Sequence, residues 1–318
     1  MKWFTVPPVK NFTEQNITKA FIRADHIIRF YYIVLFYFAL NFGLLRWLRF
    51  LNVTEIDPLW PASWIRFFDM PIAVSVIFST FLLGALLSAI FPHNRLARIL
   101  AFLGLFVFVA FTNSFGKINH SFHVWLLTSF IFIFLPSKSE KISSLSLYYQ
   151  KFLLVFWGSQ AITLLIYSMA GIAKIYMAFV QMGRGEVHVF HPQALSLQIA
   201  NRLLQTGSTS LLGPWLIEHE LIGWALYVTT IYLEFFAFLI AFRPSLHKLW
   251  ACGIILTHVG IYLAIPAPFF ENVLLLALLF FLSPFSLHKL SWKDSVVDLP
   301  LVGFLVRRLS YFEARSNN

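Results

Sequence analysis

The sequence predicts an all-α integral membrane protein, a polytopic bundle of about eight transmembrane helices. Three observations predict it. Of 318 residues, 59% are hydrophobic and only 12% charged, whereas a soluble domain is roughly 45–50% apolar and about 25% charged. The mean hydropathy of +0.75 comes from apolar runs spread along the chain, and a crossing of the hydrocarbon core takes about 20 such residues. The runs are continuous and do not alternate every second residue, which excludes the pattern of an outer-membrane barrel. Finally, the Lys and Arg residues gather unevenly between the runs. The single cysteine, Cys252, excludes an intrachain disulfide, a CxxC redox pair, and any multi-cysteine zinc or iron–sulfur site built by one chain.

In order, the apolar runs cover residues 26–45, 70–91, 96–115, 120–135, 152–180, 221–242, 246–265 and 269–284. Pro71, Pro92, Pro136, Pro244, Pro266 and Pro284 stand at or beside run ends, where a missing N–H costs least. An even number of crossings puts both chain ends on one side. That side collects sixteen Lys and Arg residues, among them Lys2, Lys10, Lys19 and Arg23 before the first run and Arg95 and Arg98 around the start of the third. The other side holds six, Arg46, Arg49, Arg66, Lys117, Arg184 and Arg202. By the positive-inside rule both termini are cytoplasmic. The formal charge of +10 then reflects orientation and contact with lipid headgroups, with no nucleic-acid partner.

The domain organisation follows: a cytoplasmic segment over residues 1–25, a transmembrane domain over 26–290 and a cytoplasmic segment over 291–318. The first segment is polar and basic and runs into the first apolar stretch without a small-residue cleavage pattern, which reads as an anchor. No internal repeat is present, which disfavours the inverted-repeat transporters. Two segments outside the runs have apolar faces. Residues 192–212 place Leu195, Ile199, Leu203 and Leu204 at helical spacing, as a helix lying in the interface or capping the bundle. Residues 294–312 combine Val, Leu and Phe with Arg307 and Arg308, as a second interfacial helix held by anionic lipid.

A few polar residues fall where composition makes them expensive. Arg29 opens the first run and can snorkel or pair with Asp25. Lys174 lies inside the fifth, between Ala170-Gly171-Ile172-Ala173 and an apolar continuation. An ammonium there costs about 2.5–3.5 kcal/mol on insertion scales, so it must snorkel, find a partner or lose its proton. Loss of the proton would make it a base near neutral pH. Glu234 is the one carboxylate well inside a run, and His258 lies in the next run; a plain structural contact between these two is the alternative to a functional role. His120 and His123 share a helix face at the start of the fourth run, and His188 and His191 repeat the spacing. Without an HExxH or EF-hand pattern this is weak support for a metal, and none is expected. No P-loop, GxGxxG or GxSxG elbow is present.

The run Asn119-His120-Ser121-Phe122 resembles the Asn-His-Ser-aromatic motif of vitamin K-dependent gamma-glutamyl carboxylases. About 50 residues later, Ala170-Gly171-Ile172-Ala173-Lys174-Ile175 is similar to their Ala-Gly-Val-Lys-Lys-Leu motif, whose second lysine, at the position of Lys174, is the catalytic base. The runs holding Glu234 and His258 are similar to later spans of the wider horizontally transferred transmembrane (HTTM) domain. The resemblance covers roughly residues 15–290. Ala173 stands in place of the first lysine of the pair, and no tryptophan follows within residues 176–185. The family's large soluble domain has no counterpart after the last run.

The resemblance implies a helical membrane domain with its site toward the lumen or cell exterior. It also implies a chemistry in which a reduced quinone, vitamin K or menaquinone in the hydroquinone form, is deprotonated and reacts with oxygen. The product is a base strong enough to open a glutamate side chain to carbon dioxide, a carbon–carbon lyase type of activity accompanied by epoxide formation. Lys174 would start it as a neutral amine, and His120 would bind a quinone oxygen or an oxyanion. Asn119, Glu234 and His258 would support the site. A separate substrate-binding protein would replace the absent soluble domain, with the lipid bilayer as the other partner. Two further readings stand beside this one: a non-catalytic HTTM domain that binds a partner protein or lipid and keeps Lys174 for a buried Glu or His contact, and a proton pathway or transporter through Glu234 and His258.

Overall fold

The structure is a computed structural model that describes residues 14–51, 56–116, 118, 120–137, 144–285 and 292–303. Every regular element among them is helical, as a backbone in lipid requires when its polar groups must be satisfied internally. Four stretches among the described residues are long and apolar enough to cross a membrane: Met70–Ile90, Arg95–Asn113, Leu145–Gly183 and Pro244–Ala264. The chain divides into two compact units inside its longest helix, between Thr163 and Leu164. That division was not legible as a loop or composition shift, because it falls within an unbroken apolar helix.

The first unit holds α1 (Glu14–Leu51), α2 (Met70–Ile90), α3 (Arg95–Asn113), α4 (His123–Phe132) and the start of α5 (Leu145–Gly183). Small residues bring α2 and α3 together. A Cβ on Gly84 would stand 2.6 Å from Ala101 N, and one on Gly104 would stand 2.5 Å from Phe81 Cα. Backbones can approach this closely only where side chains are absent. Tyr31 of α1 stacks on Trp125 of α4 at 4.9 Å, and its hydroxyl lies 2.7 Å from Trp125 O and 2.6 Å from Ser129 Oγ. The fourth run is shorter than expected: α4 has ten residues, a rise of about 15 Å against a core of roughly 30 Å. Tighter turns extend it at both ends, with His123 N bonded to His120 O and Leu135 N to Phe132 O.

Arg98 departs from the loop-charge reading. It is fully buried and donates to Pro92 O and Leu135 O, tying the start of α3 to the end of the α4 turn. Hydrogen bonds from charged donors contribute about 1.5–3 kcal/mol each. Arg98→Met, which keeps the stem and removes the guanidinium, is expected to lower stability by about 3 kcal/mol or more. Thermal unfolding of detergent-solubilised protein would measure it; a loss under about 1 kcal/mol would mean the two carbonyls find other donors.

The second unit holds the remainder of α5, then α6 (Ala194–Thr206), α7 (Gly213–Glu218), α8 (Glu220–Phe235), α9 (Ala237–Ile240), α10 (His247–Ala264), α11 (Phe270–Leu276) and α12 (Trp292–Asp298). The apolar face expected over 192–212 is packed on neighbouring helices in part, while Leu204 is left exposed. Ile199 of α6 is buried with Leu216 of α7 and Ala264 of α10, and Leu195 and Leu203 pack around them. Gly207, at φ +60°, ends α6 in the left-handed conformation that glycine adopts without a Cβ penalty. Of the interfacial helix expected over 294–312, only the first part lies among the described residues. There the helix starts at Trp292 and stops at Asp298, just before Pro300, and residues 304–312 lie outside the described residues. Asp298 is held by Arg243 Nη1 at 3.0 Å and Ser245 Oγ at 2.7 Å, so Arg243 is a structural partner as well as a loop charge.

The sixth run, expected as one helix over 221–242, is interrupted. α8 ends at Phe235 and α9 begins at Ala237, although neither proline nor glycine occurs between Leu233 and Ile240. Side chains from other helices satisfy the freed backbone groups. Trp250 Nε1 donates to Leu233 O at 2.9 Å, and Ser168 Oγ donates to Phe235 O at 3.0 Å while accepting from Phe238 N at 2.8 Å. Non-helical backbone at membrane depth persists only where protein supplies such partners. The eighth run is also irregular, α11 passing into a π-helical turn over Ala277–Phe281.

Candidate functional site

One face of α5 brings several polar residues to the second unit. Tyr167, Ser168, Gly171 and Lys174 recur at three- and four-residue steps, so they line up along one side of the helix. Ser168 holds the break after α8, as described above. Gly171 lets α5 approach the end of α8: a Cβ there would stand 2.5 Å from Phe235 N and 2.9 Å from Glu234 C. One turn further along, Lys174 Nζ hydrogen-bonds both carboxylate oxygens of Glu234. The glycine of the Ala170–Ile175 motif is therefore what brings the lysine within reach of its acid.

The Glu234 side chain is 13% exposed and that of Lys174 33%. Each charge alone would be costly in apolar surroundings; together, with the ammonium bonded to both oxygens, they offset much of that cost. Beside them, Tyr167 OH lies 2.9 Å from His258 Nε2, and the His258 ring sits 5.1 Å from that of Phe269. His258 is within electrostatic reach of Lys174, and Tyr167 and Tyr227 of Glu234. His258 Nδ1 is buried with no hydrogen-bond partner among the described residues.

The alternative of a plain Glu234–His258 contact is not the one formed: the glutamate bonds the lysine, and the histidine bonds a tyrosine. Lys174, Glu234 and His258 come together in the second unit. His120 belongs to the first, where its Nδ1 lies 3.1 Å from Nδ1 of His123 and Asn113 Nδ2 lies 3.5 Å from His123 Nε2. Asn119 lies outside the described residues. Among the described residues no group of three or more His, Cys, Asp or Glu side chains is placed to hold a metal ion. Sequence reasoning missed Tyr167, Ser168 and the packing role of Gly171. The signal was present, since all three share the helical face of Lys174.

The arrangement can hold and pass protons: an amine and a carboxyl in direct contact, next to a phenol bonded to an imidazole. Compared with known proteins, the chain matches no family model, no curated protein and no solved structure.

Proposed function

We propose that the protein is a membrane enzyme of about eight spans with cytoplasmic termini, in which Lys174 and Glu234 exchange a proton with a lipid-soluble reduced quinone. One observation carries the reading: a lysine and a glutamate from two apolar helices meet beside the Tyr167–His258 hydrogen bond, at the broken end of α8. Intramembrane ionisable residues are expensive and mark sites that handle protons or ligands. The excess of Lys and Arg on one side of the apolar runs supports the cytoplasmic termini and an extracytoplasmic site.

In the ion pair the lysine is an ammonium. Transfer of its proton to Glu234, with which it is in direct contact, gives an amine beside a carboxylic acid. The amine is the base that the resemblance to the carboxylases requires. The buried, unbonded His258 Nδ1 suits a hydroxyl of a hydroquinone ring. When bound, reduced vitamin K or menaquinone supplies an oxygen-reactive ring. Lys174 and Glu234 hold the proton, His258 orients the ring, and Phe269 keeps water away.

A second reading has its own support. Both carboxylate oxygens of Glu234 are engaged by Lys174, a self-contained pair that suits a non-catalytic HTTM domain binding a partner protein or lipid. Purified protein in lipid nanodiscs, given reduced vitamin K or menaquinone and oxygen, separates the two. Oxygen-dependent epoxide is expected, falling about 100-fold or more in Lys174→Ala. No epoxide, with Lys174→Ala only lowering the melting temperature, would establish the structural reading. Proton flux in liposomes that stops with Glu234→Gln would favour a proton pathway instead.

A further inference from the structure

The turn that joins α2 to α3 carries a cavity of about 550 Å³, lined by Arg29, Phe91, His93, Asn94, Arg95 and Leu96 among others. We propose that this cavity binds the phosphate of an anionic phospholipid. Its place is the first argument. α2 ends at Ile90 and α3 begins at Arg95, and both are long enough to cross a membrane, so their shared end lies at headgroup level.

The lining matches an amphipathic anion. Arg95 is exposed and makes no ion pair among the described residues. Arg29 gives its Nε to Asp25 Oδ2 at 3.1 Å, with the side chain still 39% exposed, which leaves its two terminal nitrogens for a ligand. Among the described residues the acid in contact with this lining is Asp25, whose other oxygen lies 3.0 Å from His93 Nε2. Burial works against its charge, but the His93 and Arg29 contacts outweigh that and hold the carboxyl below the ordinary carboxylate range. Asp25 thus stays ionised and fixes Arg29, and Tyr148 OH, 3.1 Å from His93 Nδ1, fixes the imidazole. Among the described residues, two guanidiniums against one carboxylate leave a surplus positive charge, which a headgroup of net negative charge neutralises; a zwitterionic headgroup has the same phosphodiester but also a cation that the two guanidiniums repel. Asn94 spends its Oδ1 on the amides of Leu96 and Ala97, which leaves its amide N–H groups as donors. Around this polar centre Ile90, Phe91 and Leu96 are 53%, 55% and 76% exposed, an apolar rim for acyl chains.

Native mass spectrometry of the detergent-purified full chain, titrated with phosphatidylglycerol and separately with phosphatidylcholine, tests the proposal. Phosphatidylglycerol is expected to bind about tenfold more tightly, and Arg95→Glu to remove that preference. Because Arg95 is exposed, its replacement leaves the helices intact, and an unchanged melting temperature verifies this. Phe91→Ser is expected to weaken both lipids by removing chain contact. Equal binding of the two lipids by the wild-type protein overturns the proposal without any variant, and so does full phosphatidylglycerol affinity in Arg95→Glu. Complete displacement of bound lipid by millimolar inorganic phosphate would identify a soluble-phosphate site and overturn the lipid assignment.

Discussion

Lys174→Met is expected to cost about 3–5 kcal/mol of stability, because it leaves a largely buried carboxylate without its cation. Glu234→Leu should cost a similar amount, stranding the ammonium instead. The double replacement is expected to be far milder than the sum, since two apolar side chains of similar size face each other where two charges did. Unfolding in detergent measures all three variants, and the non-additivity reports the pair directly. A loss under about 1 kcal/mol for Lys174→Met would show that Glu234 is relieved by protonation or water and that the pair contributes little. The cycle also bears on function. A double variant that folds well yet forms no epoxide assigns the pair to chemistry; one that retains whatever activity the wild type has assigns it to the fold.

Gly171→Ala is expected to be about as damaging, at roughly 3 kcal/mol or more. The added methyl would meet Phe235 N at 2.5 Å and Phe235 Cα at 2.8 Å. Both atoms are backbone and cannot rotate away, so α5 and the end of α8 must part. The separation acts beside Glu234 and pulls the carboxylate from Lys174, so activity should fall with stability. Gly260→Ala is the control. It lies inside α10 with nothing within 4 Å of an added Cβ, and it should stabilise by about 0.5–1 kcal/mol through helix propensity. If Gly171→Ala behaves like Gly260→Ala in an unfolding measurement, the close approach of the two helices is not maintained in solution.

Most of the helical architecture was legible because it follows from local composition. Runs of about 20 apolar residues with prolines at their edges gave α2, α3, α5 and α10 to within a few residues, except that α5 begins earlier than its run. The break after α8 was not legible. Leu233 to Ile240 contains no residue that disfavours helix, and the interruption exists because Trp250 and Ser168 accept its cost from outside the segment. Arg98 misled for a related reason: a loop arginine and a buried one look alike until the carbonyls of Pro92 and Leu135 are placed around it.

The candidate site divides in the same way. By itself the sequence determined that Lys174, Glu234 and His258 are expensive, since the cost of a charge or an imidazole in an apolar run depends on the run alone. It also determined that Tyr167, Ser168, Gly171 and Lys174 share a face, because that follows from 3.6 residues per turn. Which groups meet was decided only by the tertiary structure. Lys174 takes Glu234 because Gly171 lets one backbone sit against another, while Tyr167 takes His258 of a third helix, and a contact between residues some 60 positions apart depends on how two helices dock, which the periodicity of neither one contains.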